Sequence, residues 1–180
     1  YRGNDRLTFN RDRMIQSSTC LWFDSNAEEA VDFYLSVFPG GKRLRAARYP
    51  DVPVNERPPS WPAAGSVLTV EFEMLGHRYI ALNGGPMFQF NEAVSLVIEC
   101  DTQEEVDHYW DALTADGGTP VQCGWLRDKF GLSWQITPRV LGELMTSDDP
   151  ALVARVTRAM LTMVKLDIAT LEAAANSALV

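Results

Sequence analysis

Side chains that commonly carry enzyme chemistry are few and scattered in this 180-residue chain. Its two histidines, His77 and His108, stand beside a predicted hairpin turn and on the polar side of a predicted helix. A histidine in such a place is more often solvated than a metal ligand, and we expect that of both. No phosphate-binding glycine loop and no interpretable Ser-His-Asp set is present. The pattern therefore assigns no catalytic residue.

The pattern of cysteines predicts thiols that stay reduced and have a structural role. They are odd in number and far apart, without a C-x-x-C pair, and two of them occupy strand-like positions. An unpaired cysteine in a strand usually behaves as a small buried apolar residue, and a reactive or metal-binding thiol is the alternative. The three are Cys20, Cys100 and Cys123.

The composition is that of a folded domain without affinity for nucleic acid. The chain has 46% hydrophobic and 22% charged residues, a net charge of −8 and an isoelectric point near 4.7. Because nucleic-acid binding depends on clustered lysine and arginine, we expect no such partner. No apolar run reaches the roughly 20 residues that span a bilayer, and no secretion leader is recognisable. We therefore expect a cytoplasmic protein without a membrane partner.

The elements that must position any site are arranged in a repeat. Two helix starts, at residues 26–34 and 102–110, stand 76 positions apart, and each follows a short apolar run. Both starts have the spacing of a capping box, in which a cap residue and an acid three positions later satisfy backbone donors: Asn26 with Glu29, and Thr102 with Glu105. We interpret the repeat as two fused half-domains whose pseudo-symmetry creates one shared cleft.

Hydrophobic periodicity predicts that each half-domain folds as a β-α-β-β-β module. In the first module we expect a strand at 19–23, a helix at 26–38, a strand at 42–49 and a hairpin of 66–74 with 77–82. In the second we expect a strand at 93–100, a helix at 102–115, a strand at 119–125, a turn at 127–131 and a strand at 132–137.

The predicted organisation is one domain flanked by two further segments. Residues 1–13 form a polar leader that we expect to be either foreign to the protein or disordered. Residues 14–138 form the domain, with modules at 14–91 and 92–138. Residues 139–180 form C-terminal helices, the last at about 167–178, that pack on the domain or on a second subunit because their apolar faces are broad.

A proline-rich loop interrupts the first module at residues 50–65, where five prolines occur. A loop of this length is typical of a lid or a partner-contacting segment, and disorder is the equal alternative.

Several short motifs, in this order along the chain, resemble a known family. The paired modules resemble the vicinal-oxygen-chelate superfamily, and the motif text resembles its PhnB-like branch, often labelled 3-demethylubiquinone-9 3-methyltransferase. The motifs are Leu21-Trp22-Phe23-Asp24, Ala81-Leu82-Asn83-Gly84-Gly85-Pro86, Phe90-Asn91-Glu92, Cys123-Gly124-Trp125 and Gly131-x-Ser133-Trp134-Gln135. The resemblance implies an α+β protein with the glyoxalase/bleomycin-resistance/dioxygenase fold, to which this chain adds a C-terminal helical extension.

The resemblance also implies where a metal would bind. Metal-using members of the superfamily take ligands from the first and the last strand of each module. In this chain the corresponding positions are Thr19, Ser95, Gln135 and approximately Ala81. Divalent metals in such sites need imidazole or carboxylate ligands, which this set lacks. We therefore predict no metal site and no cofactor.

The residues expected to line the shared cleft are neutral hydrogen-bonding groups and indoles. Such a lining suits a small planar or amphipathic organic molecule. Core packing is the alternative for the tryptophans, and an exposed strand face is the first interpretation for Glu71 and Glu73, with entry of one of them into the cleft as the alternative. The expected lining is Thr19, Trp22, Asn83, Ser95, Trp125 and Gln135.

The sequence therefore predicts a homodimeric small-molecule-binding protein without a functional metal. One alternative is an enzyme, either the methyltransferase of the family label or a metal-dependent lyase, isomerase or dioxygenase. A methyl donor is commonly held at a glycine-rich turn that leads into a helix, whereas Gly84-Gly85-Pro86 leads into none. A further alternative is a partner-binding module that uses the proline-rich loop and the C-terminal helices.

Overall fold

The first module forms a four-stranded sheet with one helix. A computed structural model describes residues 15–53, 55–58 and 61–177, so the predicted leader lies outside the described residues. Sheet A has the strand order β1-β4-β3-β2, in which β1 runs parallel to β4 and the other neighbours are antiparallel. Its elements are β1 (Thr19–Phe23), α1 (Ala27–Val37), β2 (Lys42–Arg48), β3 (Val67–Met74) and β4 (His77–Asn83).

The second module repeats this arrangement as sheet B. Its strand order, β5-β8-β7-β6, corresponds to that of sheet A, and β5 runs parallel to β8. The elements are β5 (Ser95–Cys100), α2 (Gln103–Thr114), β6 (Thr119–Pro120), β7 (Trp125–Arg127) and β8 (Ser133–Pro138). The repeated modules and the α+β fold class predicted from the sequence are confirmed.

The prediction of one strand over 119–125 is wrong. The segment turns back on itself at Cys123 and Gly124, which both have positive φ, and this turn separates β6 from β7. Val121 N donates to Trp125 O at 2.8 Å and closes the hairpin. Positive φ is rare for residues other than glycine, so the cysteine at this position gave no indication of a turn.

Three helices follow sheet B: α3 (Arg139–Met145), α4 (Pro150–Met160) and α5 (Ile168–Asn176). Aspartate side chains cap two of them, because Asp149 accepts from Ala151 N and Asp167 accepts from Thr170 N. A small apolar core of their own holds these helices together: Leu141, Val156, Leu166, Leu171 and Ala175.

The two modules pack through their helices. Phe38, at the end of α1, stacks on Tyr109 of α2 and on Trp134 of β8, with ring centroids 5.3 and 5.2 Å apart. One buried cluster contains the helix-side residues of both sheets. We call the other surface of each sheet, turned away from the helices, its open face. The open faces therefore lie on the outside of the common core.

Asp128 joins the modules through a buried hydrogen-bond cluster. Its carboxylate accepts from Tyr34 Oη at 2.9 Å, from Trp134 Nε1 at 2.8 Å and from the backbone nitrogens of Phe130 and Leu132. Burial raises the pKa of Asp128, although these four donors act in the opposite direction. Burial and the neighbouring carboxylate also raise the pKa of Tyr34, so its phenol stays protonated as the donor.

The two helix starts are capped differently. The predicted cap of α2 is present, because Thr102 Oγ1 accepts from Glu105 N at 3.2 Å, while the Glu105 carboxylate accepts from Asp101 N, rather than from Thr102 N, at 2.7 Å. The predicted box of α1 is wrong, since the Asn26 side chain makes no cap hydrogen bond. Instead Asn83 Oδ1, from the end of β4, accepts from Ala27 N at 2.8 Å. A cap supplied by a distant strand leaves no signal in the local sequence.

No helix within the described residues is long and apolar enough to cross a membrane.

Candidate functional site

The open face of sheet B brings together three of the predicted site residues. Gln135 of β8 lies opposite Trp125 of β7 in the strand register. Its Nε2 atom donates to Ser95 Oγ, on the neighbouring strand β5, at 2.9 Å. The Gln135 carbonyl oxygen and the Ser95 hydroxyl proton remain available to a ligand, beside a half-buried indole. This arrangement can orient a flat molecule through directional hydrogen bonds and stacking.

Further residues extend this face. Val97 follows Ser95 by two positions on β5 and is 53% exposed, so an apolar surface adjoins the polar pair. Ser133 lies opposite Ser95 in the register and is fully buried, and its hydroxyl has no hydrogen-bond partner among the described residues.

The open face of sheet A carries Trp22 and a row of charged pairs. Glu71 and Glu73, the strand carboxylates noted in the sequence, lie on this face. Arg45 Nε approaches Glu71 Oε1 at 2.7 Å, and Lys42 Nζ approaches Glu73 Oε2 at 3.0 Å. The hydrogen bond from Lys42 lowers the pKa of Glu73. Both carboxylates are thus held by surface cations.

Thr19 lies on the other surface of sheet A. Strand alternation places it on the same side as Leu21 and Phe23, whose side chains are buried in the common core. Ala81, the approximate fourth position, is also buried in this core. The offset of 76 is valid for the helices but not for the strands, because the connection from β1 to α1 is one residue longer than that from β5 to α2. Ser18 is therefore the counterpart of Ser95.

The Asn83 amide is used by the fold itself. Besides capping α1, its Nδ2 atom donates to Val67 O at 3.0 Å, and the side chain is buried. Both ends of this amide are therefore occupied by backbone groups. Asn83 was predicted to line the cleft, but it lies at the end of its strand on the helix side and not on the open face.

Within one chain the two open faces approach each other at one end, where Trp22 of sheet A and Arg127 of sheet B line the same cleft, but they do not face each other along their length. Among the described residues, no hydrogen bond, ion pair or aromatic contact joins the open face of sheet A directly to that of sheet B. The helix-side packing explains this separation, because it turns both open faces outward. Over the part that the structure describes, the residues predicted to line one shared cleft are therefore not all brought together within the single chain.

A different cleft of about 370 Å³ lies where the modules meet. We call it the junction cleft, and residues of three segments line it: 22–26, at the end of β1 and just after it, 86–90 of the linker, and 127–131, from the end of β7 into the turn before β8. Trp22 forms one wall. Its Nε1 atom donates to Gly85 O at 2.8 Å, and its ring lies so close to Gly84 that a β-carbon there would overlap it.

Sequence reasoning missed the cations of the junction cleft, Arg127 and Lys129. The turn at 127–131 was recognised, but its charged residues were not connected with Trp22, more than 100 positions earlier. Two basic residues separated by one position in a predicted turn were the feature of the sequence that could have indicated this site.

The donor set does not fit a resident divalent metal. No group of three or more histidine, cysteine or acidic side chains that could hold an ion occurs within the described residues. Ser95 and Gln135 supply one hydroxyl and one neutral amide, which leave the charge of a metal uncompensated. The corresponding strand positions in sheet A are Ser18, Cys20 and the apolar Ile80.

Comparison with known proteins gives a family and several structural relatives. The model of a family described as 3-demethylubiquinone-9 3-methyltransferase matches residues 16–137. A protein from Bacillus cereus, described as a 3-demethylubiquinone-9 3-methyltransferase, PhnB protein, is 31% identical, with a TM-score of 0.57 over 69% of this chain and 99% of that chain. Protein PA1353 from Pseudomonas aeruginosa is 20% identical, with a TM-score of 0.52 over 69% and 98%.

A more distant structure is that of the fosfomycin resistance protein FosX from Listeria monocytogenes, solved with Mn(II) and sulfate. It is 14% identical, with a TM-score of 0.44 over 67% of this chain and 88% of that chain. No curated protein matches the chain.

Proposed function

The chain belongs to the family described as 3-demethylubiquinone-9 3-methyltransferase, the PhnB-like branch of the vicinal-oxygen-chelate superfamily, and from this premise we propose that it binds a small planar organic molecule without a metal. The ligand lies between two copies of the chain, against the open face of sheet B of one protomer and the open face of sheet A of its partner. No catalytic residue is assigned.

The hydrogen bond between Gln135 and Ser95 is the observation that carries this proposal. It fixes a neutral amide on an open sheet face, next to the indole of Trp125. Ligand sites of this kind combine an apolar surface with a few oriented polar groups. The same position with an acidic residue would favour a metal, whereas an amide offers a donor and an acceptor to an organic ligand.

The pairing of two copies follows from the repeat. Both sheets have the same strand order, and each leaves one face outside the common core. If sheet A of one copy lies against sheet B of another, two-fold symmetry produces the same contact twice and covers both faces. Val97 and Trp125 on sheet B and Ile80 and Leu82 on sheet A then leave water.

A methyltransferase reaction is the enzymatic alternative that the family description favours. In this chain the glycine at position 84 is explained by packing and not by a methyl donor, because its missing β-carbon leaves room for the Trp22 ring. Calorimetric titration with S-adenosylmethionine distinguishes the two functions. We expect no heat of binding, and saturable binding would favour the methyltransferase.

The proposed ligand site is tested by ligand-observed NMR with a set of small aromatic and heteroaromatic molecules. Replacement of Gln135 by alanine removes one oriented hydrogen bond, worth about 1 kcal/mol, so the affinity of the bound molecules should fall about fivefold. Gln122→Ala is the matched control, because Gln122 is exposed in the turn before β7.

Two results would contradict the ligand site. One is the absence of any saturable binding, and the other is an affinity that the two glutamine variants lower equally. Addition of Zn²⁺, Mn²⁺, Ni²⁺ or Fe²⁺ tests the metal-dependent alternative, since tighter ligand binding or new activity with one of these ions would favour it over a metal-free site.

A further inference from the structure

We propose that the junction cleft binds a small aromatic carboxylate, a planar molecule with one negative charge. Residues of a single chain form this site, and two of them, Trp22 and Arg127, also lie on the open faces of sheets A and B. The inference goes beyond the proposed function and does not depend on the pairing of two copies.

The size and position of the cleft suit such a molecule. Its volume of about 370 Å³ lies at the lower end of the range of ligand pockets. It is bounded on three sides by segments that the fold holds apart, the end of β1, the linker between the modules and the β7–β8 turn. The turn is rigid, because Asp128 accepts hydrogen bonds from the backbone nitrogens of both Phe130 and Leu132.

Two cations in the lining keep hydrogen-bond donors free. Arg127 Nε lies 3.8 Å from Glu92, and Lys129 Nζ lies 3.8 Å from Glu29, distances too long for hydrogen bonds. Within the described residues neither side chain donates a hydrogen bond. By contrast, Lys42 lies 3.0 Å from its carboxylate and Arg45 2.7 Å from its own.

Lys129 is held in position by aromatic rings. Its ammonium lies 4.8 Å from the ring centroid of Phe33 and 5.3 Å from that of Phe130, and the side chain is only 22% exposed. A partly desolvated ammonium attracts an anion more strongly than one in bulk water.

The opposite wall supplies an aromatic surface. Phe88 lies edge-on to Trp22, with ring centroids 4.9 Å apart, and is 59% exposed. The indole is fixed by its hydrogen bond to Gly85, so it can pack against a ring without a large loss of rotamer freedom. An exposed phenylalanine beside a fixed indole thus offers a place for a planar ligand.

The cations of the cleft are loosely paired. Asp24 is the one acidic residue among those that line the cleft, while Glu92 and Glu29, which are not among the lining residues, lie 3.8 Å from Arg127 and Lys129. The cluster therefore has no excess of positive charge, and the attraction for an anion rests on the unused donors of the two cations and on the partial burial of Lys129. A carboxylate supplies the acceptors that these donors lack, whereas a hydrocarbon ring supplies none.

The probe for this site is 2-naphthoate, with naphthalene-2-carboxamide as the neutral control. In ¹H–¹⁵N spectra of the full chain we expect naphthoate to shift the Trp22 indole N–H and the Gly131 amide in a saturable manner. The carboxamide should bind at least about fivefold more weakly, the loss expected for one charge-assisted contact.

Variants in the cleft should change the affinity in opposite directions. Arg127→Gln and Lys129→Met should each weaken binding at least about fivefold, whereas Asp24→Asn should strengthen it. A gain of affinity cannot result from misfolding, so Asp24→Asn tests the proposal even if the other two variants fold poorly. Arg158→Gln, on α4 and outside the cleft, is the matched control and should leave binding unchanged.

The proposal is overturned if the carboxamide binds as well as naphthoate, if Asp24→Asn leaves the affinity unchanged, or if naphthoate shifts only Trp125. The last result would place the molecule on the open face of sheet B. Binding in the junction cleft should be the same in a monomeric variant of the chain. Failure of the dimer proposal and failure of this one are therefore distinguishable.

Discussion

Gln135 and Asn83 are both neutral amides at strand positions, yet the fold uses them differently. Gln135 projects from the open face of sheet B, where it bonds to Ser95 and keeps an acceptor free. Asn83 lies on the helix side, where it caps α1 and bonds to β3. Residue type and motif placed both amides in the predicted site. The face of the strand on which each amide lies decides whether it is available to a ligand.

The same reasoning explains Thr19. The repeat predicted it as the counterpart of Ser95, and one additional residue before α1 reverses its side of the strand. The alternation of Leu21 and Phe23 in the sequence carried this information. For a site residue on a strand, the register of the strand is a better guide than its distance from a helix.

Asp128 is the residue on which the contact between the modules most depends. Tyr34→Phe removes one hydrogen bond to a buried carboxylate and should lower the free energy of unfolding by about 1.5–3 kcal/mol. Asp128→Asn places a donor opposite Tyr34 and Trp134 and should cost about 2–4 kcal/mol.

Because both residues belong to one cluster, the double variant should lose less than the sum of the two single losses, by roughly 0.5–3 kcal/mol. Urea denaturation of the four proteins measures this coupling. Additive losses would mean that the contact between Tyr34 and Asp128 contributes nothing to stability.

At the scale of elements, the periodic patterns predicted the helices and most strands. They predicted the hairpin of β3 and β4 and the final helix α5 within a few residues. They did not predict the break between β6 and β7, since it depends on positive φ at Cys123. That turn is also the place where the C-terminal segment is attached.

The C-terminal helices lie beyond the part of the chain that the family model matches. Cys123 N and Gly124 N donate to the carbonyl oxygens of Met163 and Val164, at 2.9 and 2.8 Å. Gln103, at the start of α2, donates to Leu166 O and accepts from Ile168 N. These bonds fix the segment before α5 against the second module.

Gly124→Ala should loosen this attachment. A β-carbon there would lie 2.8 Å from Ile136 O and 2.9 Å from Leu166 Cδ1, in addition to the strain of a φ of +81°. Gly131→Ala is the control, because Gly131 has a similar φ but no atom within 4 Å of an added β-carbon. Left-handed backbone alone costs alanine about 1–2 kcal/mol.

Thermal and chemical denaturation should therefore show a loss that is larger by about 1–3 kcal/mol for Gly124→Ala than for Gly131→Ala. Hydrogen exchange at the Cys123 amide should also become faster in Gly124→Ala alone. Equal losses would contradict the close packing of Leu166 against this turn.

At the scale of the whole molecule, the packing of the modules could not be predicted from the sequence. An amphipathic helix pattern indicates that one face is buried but not which element covers it. Here α1 packs against its own sheet and also against Trp134 of the other module. As a result, Trp22 lies on one outward face and Ser95, Trp125 and Gln135 lie on another. A second copy is needed to bring these two faces together.

Chemical cross-linking between chains tests this account most directly. Cys20 is exposed on the open face of sheet A, and Val97 occupies the matching position on sheet B. In a Cys123→Ser background, Val97→Cys and a short bis-maleimide should give a covalent dimer that disappears when Cys20 is also replaced by serine. Leu161→Cys, 57% exposed but in the C-terminal segment, should give none. A monomer after cross-linking of Val97→Cys, or a dimer that forms equally well with Leu161→Cys, would contradict a ligand site built from two chains.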